Sequence, residues 1–220
     1  PFLVAEEFQI AVATMPLLKK QIEMDTVKLY GAEINLAKNE SGITNWDDLA
    51  GGEAKEKESG GEIATIVLGG VDIKDAKISW QDASTGQDVK VKDLNVGTGE
   101  LTFGDPVEFI LSFSAVANQP ALDTDTTLAG TVSYDLDAET YHIEPLALDV
   151  LLRGKKLPGG KADIKTSAVV DINLDEGVAS IQGLNLTGLG TEVTGDIDAT
   201  GIESESPGAK GKLNVAGKDI

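Results

Sequence analysis

Apolar and polar residues alternate with a period of two, and this feature constrains the fold of the chain more than any other. Between Ile164 and Leu174, apolar residues dominate one phase and polar residues the other. Because successive side chains of a strand point to opposite faces, this segment is predicted to form a strand with one apolar face. Similar alternation occurs at residues 8–12, 107–113 and 193–199, and no helical periodicity extends over ten residues. The pattern predicts a mainly β protein with antiparallel pairing.

A longer pattern, apolar-x-apolar-x-x-apolar-x-apolar, occurs five times. Its copies begin at Ile22, Val71, Val89, Tyr141 and Ala179, and the last two are related by a 38-residue offset (179 − 141). The two-residue gap would turn half of each copy to the wrong face unless a β-bulge restores the phase and increases the twist. We therefore predict a long, strongly twisted antiparallel sheet of bulged β repeats. It should form an open groove or taco-like half-barrel, with one or two short helices.

Composition along the chain divides it into four parts. Residues 1–49 are predicted to be an N-proximal β segment that ends in a short helix. Residues 50–62 are rich in Gly, Glu and Lys and lack large apolar side chains, which is typical of a flexible linker loop. Residues 63–202 hold the β repeats. Residues 203–220 are predicted to be a flexible tail, with a possible truncated strand at Leu213–Val215.

Charge and residue usage exclude several classes of function. The formal net charge of −19 repels phosphate backbones, so no nucleic acid partner is expected. The chain has no cysteine and a single histidine, His142, which removes thiol nucleophiles and two-histidine metal motifs. We find no catalytic residues, no metal ligands and no cofactor site, and expect a protein that is not an enzyme. His142 falls on the polar phase, where an exposed or edge-strand histidine is expected.

Acidic segments at Asp123–Asp125 and Asp135–Glu139 carry the carboxylates that calcium requires, but neither has the spacing of an EF-hand loop. We interpret them as solvated hairpin ends, and we predict hairpin turns at residues 137–140 and 175–177. The segment Asn45-Trp46-Asp47-Asp48-Leu49 is predicted to form a short helix capped by Asn45, with Asp47 and Asp48 in its first turn. Adjacent residues of a helix do not face each other, so Asp47 and Asp48 are not expected to act as a catalytic pair. We therefore interpret this motif as structural.

Residues 16–49 resemble the AsmA family of Gram-negative envelope proteins, which includes TamB-like relatives. The resemblance is carried by Pro16–Leu18, Ile22–Leu36, Lys38–Gly42 and Asn45–Leu49. It extends more weakly through the downstream β repeats. It implies a β-groove in the periplasm, tethered to the inner membrane by an anchor outside this sequence, with the chain a segment of a longer protein. It also implies a part in outer-membrane biogenesis and in phospholipid transport.

The sequence is compatible with two functions. In the first, the apolar sheet face binds a phospholipid or fatty acyl chain, and the groove is lined by nine residues: Leu136, Ile143, Leu146, Leu148, Ile172, Leu174, Ile181, Leu184 and Leu186. In the second, the chain is a scaffold module whose apolar face is filled by its own packing and whose partners are envelope assembly proteins. An enzyme and a calcium-dependent adhesin are less favoured. In either main case, contact with the membrane is expected through regions outside this sequence.

Overall fold

A computed structural model describes residues 2–11, 21–47, 65–102, 104–204 and 206–217 of the chain. The predicted linker at residues 50–62 lies outside the described residues, as do Asp48 and Leu49. The described residues form sixteen strands: β1 Leu3–Val4, β2 Glu7–Gln9, β3 Gln21–Met24, β4 Val27–Tyr30, β5 Glu33–Lys38, β6 Thr65–Leu68, β7 Val71–Asp82, β8 Gln87–Thr98, β9 Leu101–Thr102, β10 Val107–Asn118, β11 Ala121–Asp135, β12 Thr140–Arg153, β13 Lys161–Asn173, β14 Val178–Gly188, β15 Thr191–Thr200 and β16 Gly208–Gly217.

Thirteen of these strands belong to one open sheet, which confirms the predicted mainly β class. The hydrogen-bonded order is β1-β5-β7-β8-β10-β11-β12-β13-β14-β15-β16, with β4 paired to β2 and β7. Strands β3, β6 and β9 form a separate three-stranded sheet. Residues 1–103 and 113–123 cluster into one compact unit, and residues 104–112 and 124–220 into a second.

Pairing in the N-terminal part differs from the predicted antiparallel sheet. Strands β4 and β5 both run parallel to β7, and β3 runs parallel to β6. Parallel neighbours need a long connection between them, and periodicity within each strand does not reveal the order of pairing. The sheet is therefore mixed, whereas β12 to β16 are joined only by antiparallel pairs.

Helical structure is scarce in the described residues. The described residues contain no complete helix, so the predicted one or two short helices are not found there. Pro158–Gly160 form a tight turn in which Gly159 and Gly160 have positive φ, and a single helical residue, Asp47, precedes the undescribed segment 48–64. Hairpin turns instead connect the long strands, since residues 136–139 and 174–177 form turns close to the predicted positions. Strand β16 covers Gly208–Gly217, within the segment whose composition suggests a flexible tail.

The predicted bulges occur in four of the five repeat copies. The register shifts between Ile73 and Ala76 in β7, between Ile143 and Leu146 in β12, and between Ile181 and Leu184 in β14. The copy in β8 has its own extra residue between Val91 and Leu94, next to the β7 bulge. The first copy is divided differently, because its two halves form β3 and β4 in separate sheets.

Candidate functional site

Strands β12 to β16 of the second unit align their apolar residues on one face. Directly opposite residues of an antiparallel pair share a face, so the register identifies the members of each row. One row runs from Ile143 through Val170 and Ile181 to Ile197. We call this surface the apolar face, and its large side chains are Tyr141, Ile143, Leu146, Leu148, Val150, Leu152, Ile164, Val170, Ile172, Ile181, Leu184, Leu186, Val193, Ile197, Leu213 and Val215.

The bulges keep this face continuous along each strand. In β12, Ile143 pairs with Val170 before the register shift, and Leu146 pairs with Ala168 after it. Both therefore lie on the same face, although three positions separate them. In β14 the shift between Ile181 and Leu184 has the same result. The extra residue thus extends one apolar row over most of each strand.

Seven of the nine predicted groove residues lie on the apolar face. They are Ile143, Leu146, Leu148, Ile172, Ile181, Leu184 and Leu186, and all are half-buried. Leu136 and Leu174 instead lie in the hairpin turns that follow β11 and β13. Leu136 is 51% exposed, and the backbone N–H of Leu174 donates to the carbonyl oxygen of Glu139. The structure therefore places these two leucines at the hairpin ends, beyond the strands.

Other members of the apolar face were not among the predicted site residues. Val193 and Ile197 of β15 pair with Leu186 and Ile181, and Val215 of β16 pairs with Val193. The alternation at residues 193–199 was the available signal. The face thus extends two strands further than the repeat pattern alone indicated.

Little of the chain is packed in the manner of a globular core. Among the described residues, the buried apolar side chains are Ala32, Ala76, Val107 and Ala162, and none of them is large. In the same residues, β12 to β16 make their contacts chiefly with hydrogen-bonded neighbours. The large side chains of the apolar face are therefore half-buried or exposed, and none of them is fully buried.

The opposite face of β12 to β16 is polar. Lys165 Nζ lies 3.1 Å from the Asp149 carboxylate across the β12–β13 pair. His142 Nδ1 lies 2.6 Å from Asp171, and its Nε2 lies 3.2 Å from Glu144. Hydrogen bonds to Asp171 and then to Glu144 raise the pKa of His142 above its usual value near 6.5. Of the two expected settings, an exposed or an edge-strand histidine, His142 has the first: its side chain is 43% exposed, and β12 lies between β11 and β13.

A hollow of about 800 Å³ lies among the hairpin ends of β11 to β16. Its lining mixes aromatic and aliphatic residues with basic and acidic ones: Tyr134, Tyr141, Ile172, His142, Lys210, Asp135, Asp171 and Asp198. Ile172 is the predicted groove residue that reaches it. The hollow thus adjoins one end of the apolar face.

Of the two acidic segments predicted at hairpin ends, the one at residues 135–139 begins the turn after β11, whereas residues 123–125 lie within β11. One carboxylate oxygen of Asp135 accepts hydrogen bonds from the backbone N–H groups of Asp137 and Ala138, each at 3.0 Å. Asp125 accepts a 2.6 Å hydrogen bond from Arg153. Within the described residues, no group of three or more His, Cys, Asp or Glu side chains is arranged to hold a metal ion. Asp125 and Asp135 therefore have structural partners.

The motif at residues 45–49 anchors a loop to the first unit. Asn45 Oδ1 accepts a hydrogen bond from the Ala37 backbone N–H at 2.8 Å, and its Nδ2 donates to the Asn35 carbonyl oxygen at 2.7 Å. Asn45 therefore does not cap the helix as predicted, because β5 engages its side chain. Thr44 takes the capping position, since the Asp47 carboxylate accepts from its amide at 2.8 Å and also from its hydroxyl. These bonds hold the pKa of Asp47 below its usual range.

Trp46 of this motif stacks on the sheet. Its ring centroid lies 5.6 Å from that of Trp80 in β7, with an interplanar angle of 49°. Tilted aromatic pairs of this kind stabilise a contact beyond the apolar area they bury. The described part of the motif is thus structural, and Asp48 and Leu49 lie outside the described residues.

Comparison with known families establishes the family to which this chain belongs. A model of the AsmA family matches residues 2–198 of the 220 residues. The chain belongs to the AsmA family. This confirms the resemblance seen at residues 16–49 and extends it through the repeats of β12 to β15. No curated protein and no solved structure matches the chain.

AsmA proteins are associated with the cell envelope and are in general not enzymes. Membership of the AsmA family suggests a part in envelope-related lipid transport or biogenesis. In the part of this AsmA chain that the structure describes, no helix has the length and apolar character needed to cross a membrane.

Proposed function

We propose that this chain is a lipid-binding segment whose apolar face takes up acyl chains, in support of phospholipid transport to the outer membrane and outer-membrane biogenesis. The observation that carries the proposal is the continuous apolar face of β12 to β16, whose large side chains are half-buried or exposed. Family membership supports the same assignment, and on that basis we infer a periplasmic location with tethering at the inner membrane.

Energetics favour an apolar ligand on this face. Removing apolar surface from water is worth roughly 25 cal/mol per Å², so a few hundred Å² corresponds to several kcal/mol. An acyl chain can satisfy a strip of this kind without directional contacts, since the hydrophobic effect is not directional. The phospholipid headgroup would remain in water beyond the edge of the apolar face.

The rows of side chains on the apolar face also suit a long, flexible ligand better than a compact one. The rows pass from β12 to β16 with large aliphatic side chains at Leu148, Leu186 and Val215 and small ones at Thr166 and Gly195. No carboxylate interrupts these rows, because the bulges keep the acidic residues on the opposite face. An acyl chain could therefore lie across several strands without meeting a charge.

Native mass spectrometry of protein purified from a bacterial host tests the proposal. We expect phospholipid to be retained by the protein, and the delipidated protein to take up a fluorescent fatty acid. A delipidated chain that remains folded by circular dichroism and takes up no fatty acid would contradict lipid binding. It would favour the alternative, a scaffold module acting through contacts with envelope assembly proteins.

A further inference from the structure

The connections between β11 and β15 differ in charge at the two ends of the strands. Those at one end, residues 136–139 and 174–177, hold four acidic residues and no basic one. Those at the other end, residues 154–160 and 189–190, hold two lysines and no acidic residue. Successive hairpins of an antiparallel sheet alternate between its two ends. We call these two ends the acidic end and the basic end of the apolar face.

The two lysines, Lys155 and Lys156, lie in a compact connection between β12 and β13, which we call the basic loop (residues 154–160). The Gly154 amide donates to the Gly160 carbonyl oxygen at 3.0 Å, and the Gly160 amide donates to the Leu157 carbonyl oxygen at 2.9 Å. Both lysines are exposed, and neither forms an ion pair with another described residue. The loop therefore keeps two unpaired ammonium groups at this end of the sheet.

The charges on the strands beside the basic loop largely offset one another. Arg153 at the end of β12 donates a 2.6 Å hydrogen bond to Asp125. Lys161 and Asp163 lie two positions apart at the start of β13 and therefore share a face. Glu192 lies on β15, two strands from β13. The positive charge at this end is therefore concentrated in the basic loop.

The apolar face continues up to the basic loop. Leu152, one residue before the end of β12, lies opposite Ala162, and Val150 lies opposite Ile164. A lipid whose acyl chains begin on these residues has its headgroup at the basic loop. At the acidic end, the phosphate of the same lipid would meet four carboxylates, and like charges repel.

We propose that the basic loop binds the phosphate group of a phospholipid whose acyl chains lie on the apolar face, so that headgroups gather at the basic end. This inference rests on the proposed lipid function and adds to it the headgroup chemistry and the orientation of the lipid. Lysine ammonium groups bind phosphate as point charges, without a fixed geometry. Two exposed lysines therefore suit the single negative charge of a phosphodiester that moves with its lipid.

The dimensions of the strands agree with this arrangement. The hydrocarbon of one bilayer leaflet spans about 15 Å, which is half of the full core. The thirteen residues of β13 extend about 43 Å, at about 3.3 Å per residue. Acyl chains that start at the basic loop therefore end well short of the acidic end, whatever their direction on the face.

Two fluorescent lipids with the same acyl chains, phosphatidylglycerol and diacylglycerol, test the phosphate contact. In the double variant Lys155→Glu/Lys156→Glu, binding of monomeric phosphatidylglycerol should weaken by about tenfold, since two attractive charges become repulsive. Binding of diacylglycerol, which has no phosphate, should be unchanged. The matched control Lys210→Glu/Lys212→Glu makes the same change in net charge at exposed positions of β16 and should leave the binding of both lipids unchanged.

The orientation of the lipid is tested separately by nuclear magnetic resonance. A phosphatidylglycerol with a nitroxide on its headgroup should broaden the amide signals of residues 154–160 and spare those of residues 136–139 and 174–177. Broadening confined to the acidic end would overturn the proposal. Displacement of the lipid by an equal concentration of glycerol 3-phosphate would also overturn it, because the loop would then bind free phosphate.

The lipid function and the headgroup site fail in different ways. If the unmodified, folded protein takes up neither lipid, lipid binding itself is contradicted and the headgroup site falls with it. If both lipids bind and the two double variants weaken phosphatidylglycerol equally, only the headgroup site is refuted, since the effect then follows from net charge. Circular dichroism of each variant establishes that a loss of binding does not reflect unfolding.

Discussion

At the scale of single residues, Asp82 is the clearest case of a charged side chain that organises its surroundings. It is 7% exposed at the end of β7, and its carboxylate accepts hydrogen bonds from the Ser84 hydroxyl and from the Ser84 amide at 2.8 Å. Lys38 Nζ lies 3.4 Å away. The Ser84 hydrogen bonds, reinforced by Lys38, lower the pKa of Asp82 to about 2. The residue therefore fixes the turn between β7 and β8.

The lowered pKa of Asp82 predicts how the stability of the fold depends on pH. A carboxyl group with a lowered folded-state pKa stabilises the fold above its unfolded-state pKa, near 4, and this contribution is lost as the pH falls towards 2. Asp82→Asn should therefore lower the melting temperature at pH 6 and flatten its decline between pH 4 and pH 2. Thermal melting by circular dichroism measures both effects. Glu40→Gln, an exposed change of the same charge, is the control, and equal pH profiles for the two variants would refute the assignment.

Gly195 provides a second prediction at the residue scale. Its φ of +150° disfavours other residues, and a Cβ added there would collide with the Lys212 carbonyl oxygen of β16. Gly195→Ala should destabilise the protein by about 1–3 kcal/mol, because β15 and β16 must separate or shift. Urea unfolding measures the change. Gly217→Ala is the matched control, since an added Cβ there meets nothing within 4 Å.

At the scale of elements, the bulges share a backbone feature that explains the repeat pattern. The second gap residue has a positive φ in three copies, at Asp75 (54°), Asp93 (53°) and Gly183 (57°). Asp and Gly tolerate this conformation better than most residues. Side chains from the paired strand also satisfy bulge amides, as Asn95 Oδ1 accepts from the Asp75 amide at 3.1 Å. The two-residue gap in the repeated pattern thus marks the position of the bulge. The second residue of the gap adopts the positive φ that the bulge requires.

The apolar face gives a prediction for paired substitutions on β12 and β14. Leu148→Asp and Leu186→Asp place carboxylates on the face where we propose that acyl chains bind, and an unpaired charge in an apolar site is costly. Because both leucines are only half-buried, we expect melting temperatures close to that of the unmodified protein together with loss of fatty-acid uptake. Circular dichroism and a fluorescent fatty acid measure the two properties.

The opposite face supplies controls for these two variants. Ala147 and Asn185 neighbour Leu148 and Leu186, are exposed, and lie on the polar face. Ala147→Asp and Asn185→Asp should leave both melting and fatty-acid uptake unchanged. Global unfolding of both leucine variants would show instead that these leucines belong to a filled core, and the proposed role of the apolar face would fail.

At the scale of the whole molecule, the sequence predicted the strands more fully than their partners. Alternation and the 38-residue offset identified β12, β13 and β14, because both patterns arise within contiguous segments. The parallel pairs of β4 and β5 with β7 could not be predicted, since their partners lie more than 40 residues away. Asn45 was misassigned for a similar reason: its capping propensity is local, but the hydrogen bonds it makes to β5 are tertiary. Leu136 and Leu174 continued the apolar phase, although the turns begin one residue earlier than predicted.

The net charge of −19 gives the last prediction, which concerns how the whole chain meets a membrane surface. Anionic phospholipid vesicles should repel the protein at low salt, whereas zwitterionic vesicles should not, so co-sedimentation with anionic vesicles should be weaker. The difference should nearly vanish in 1 M salt, where the Debye length falls to about 3 Å. If uptake of acyl chains proceeds from the vesicle surface, its rate should show the same dependence on lipid charge and salt.

Stronger binding to anionic vesicles at low salt would mean that a local cationic strip, such as Lys210 and Lys212 on β16, outweighs the charge of the whole chain. The Lys210→Glu/Lys212→Glu variant would then abolish that binding.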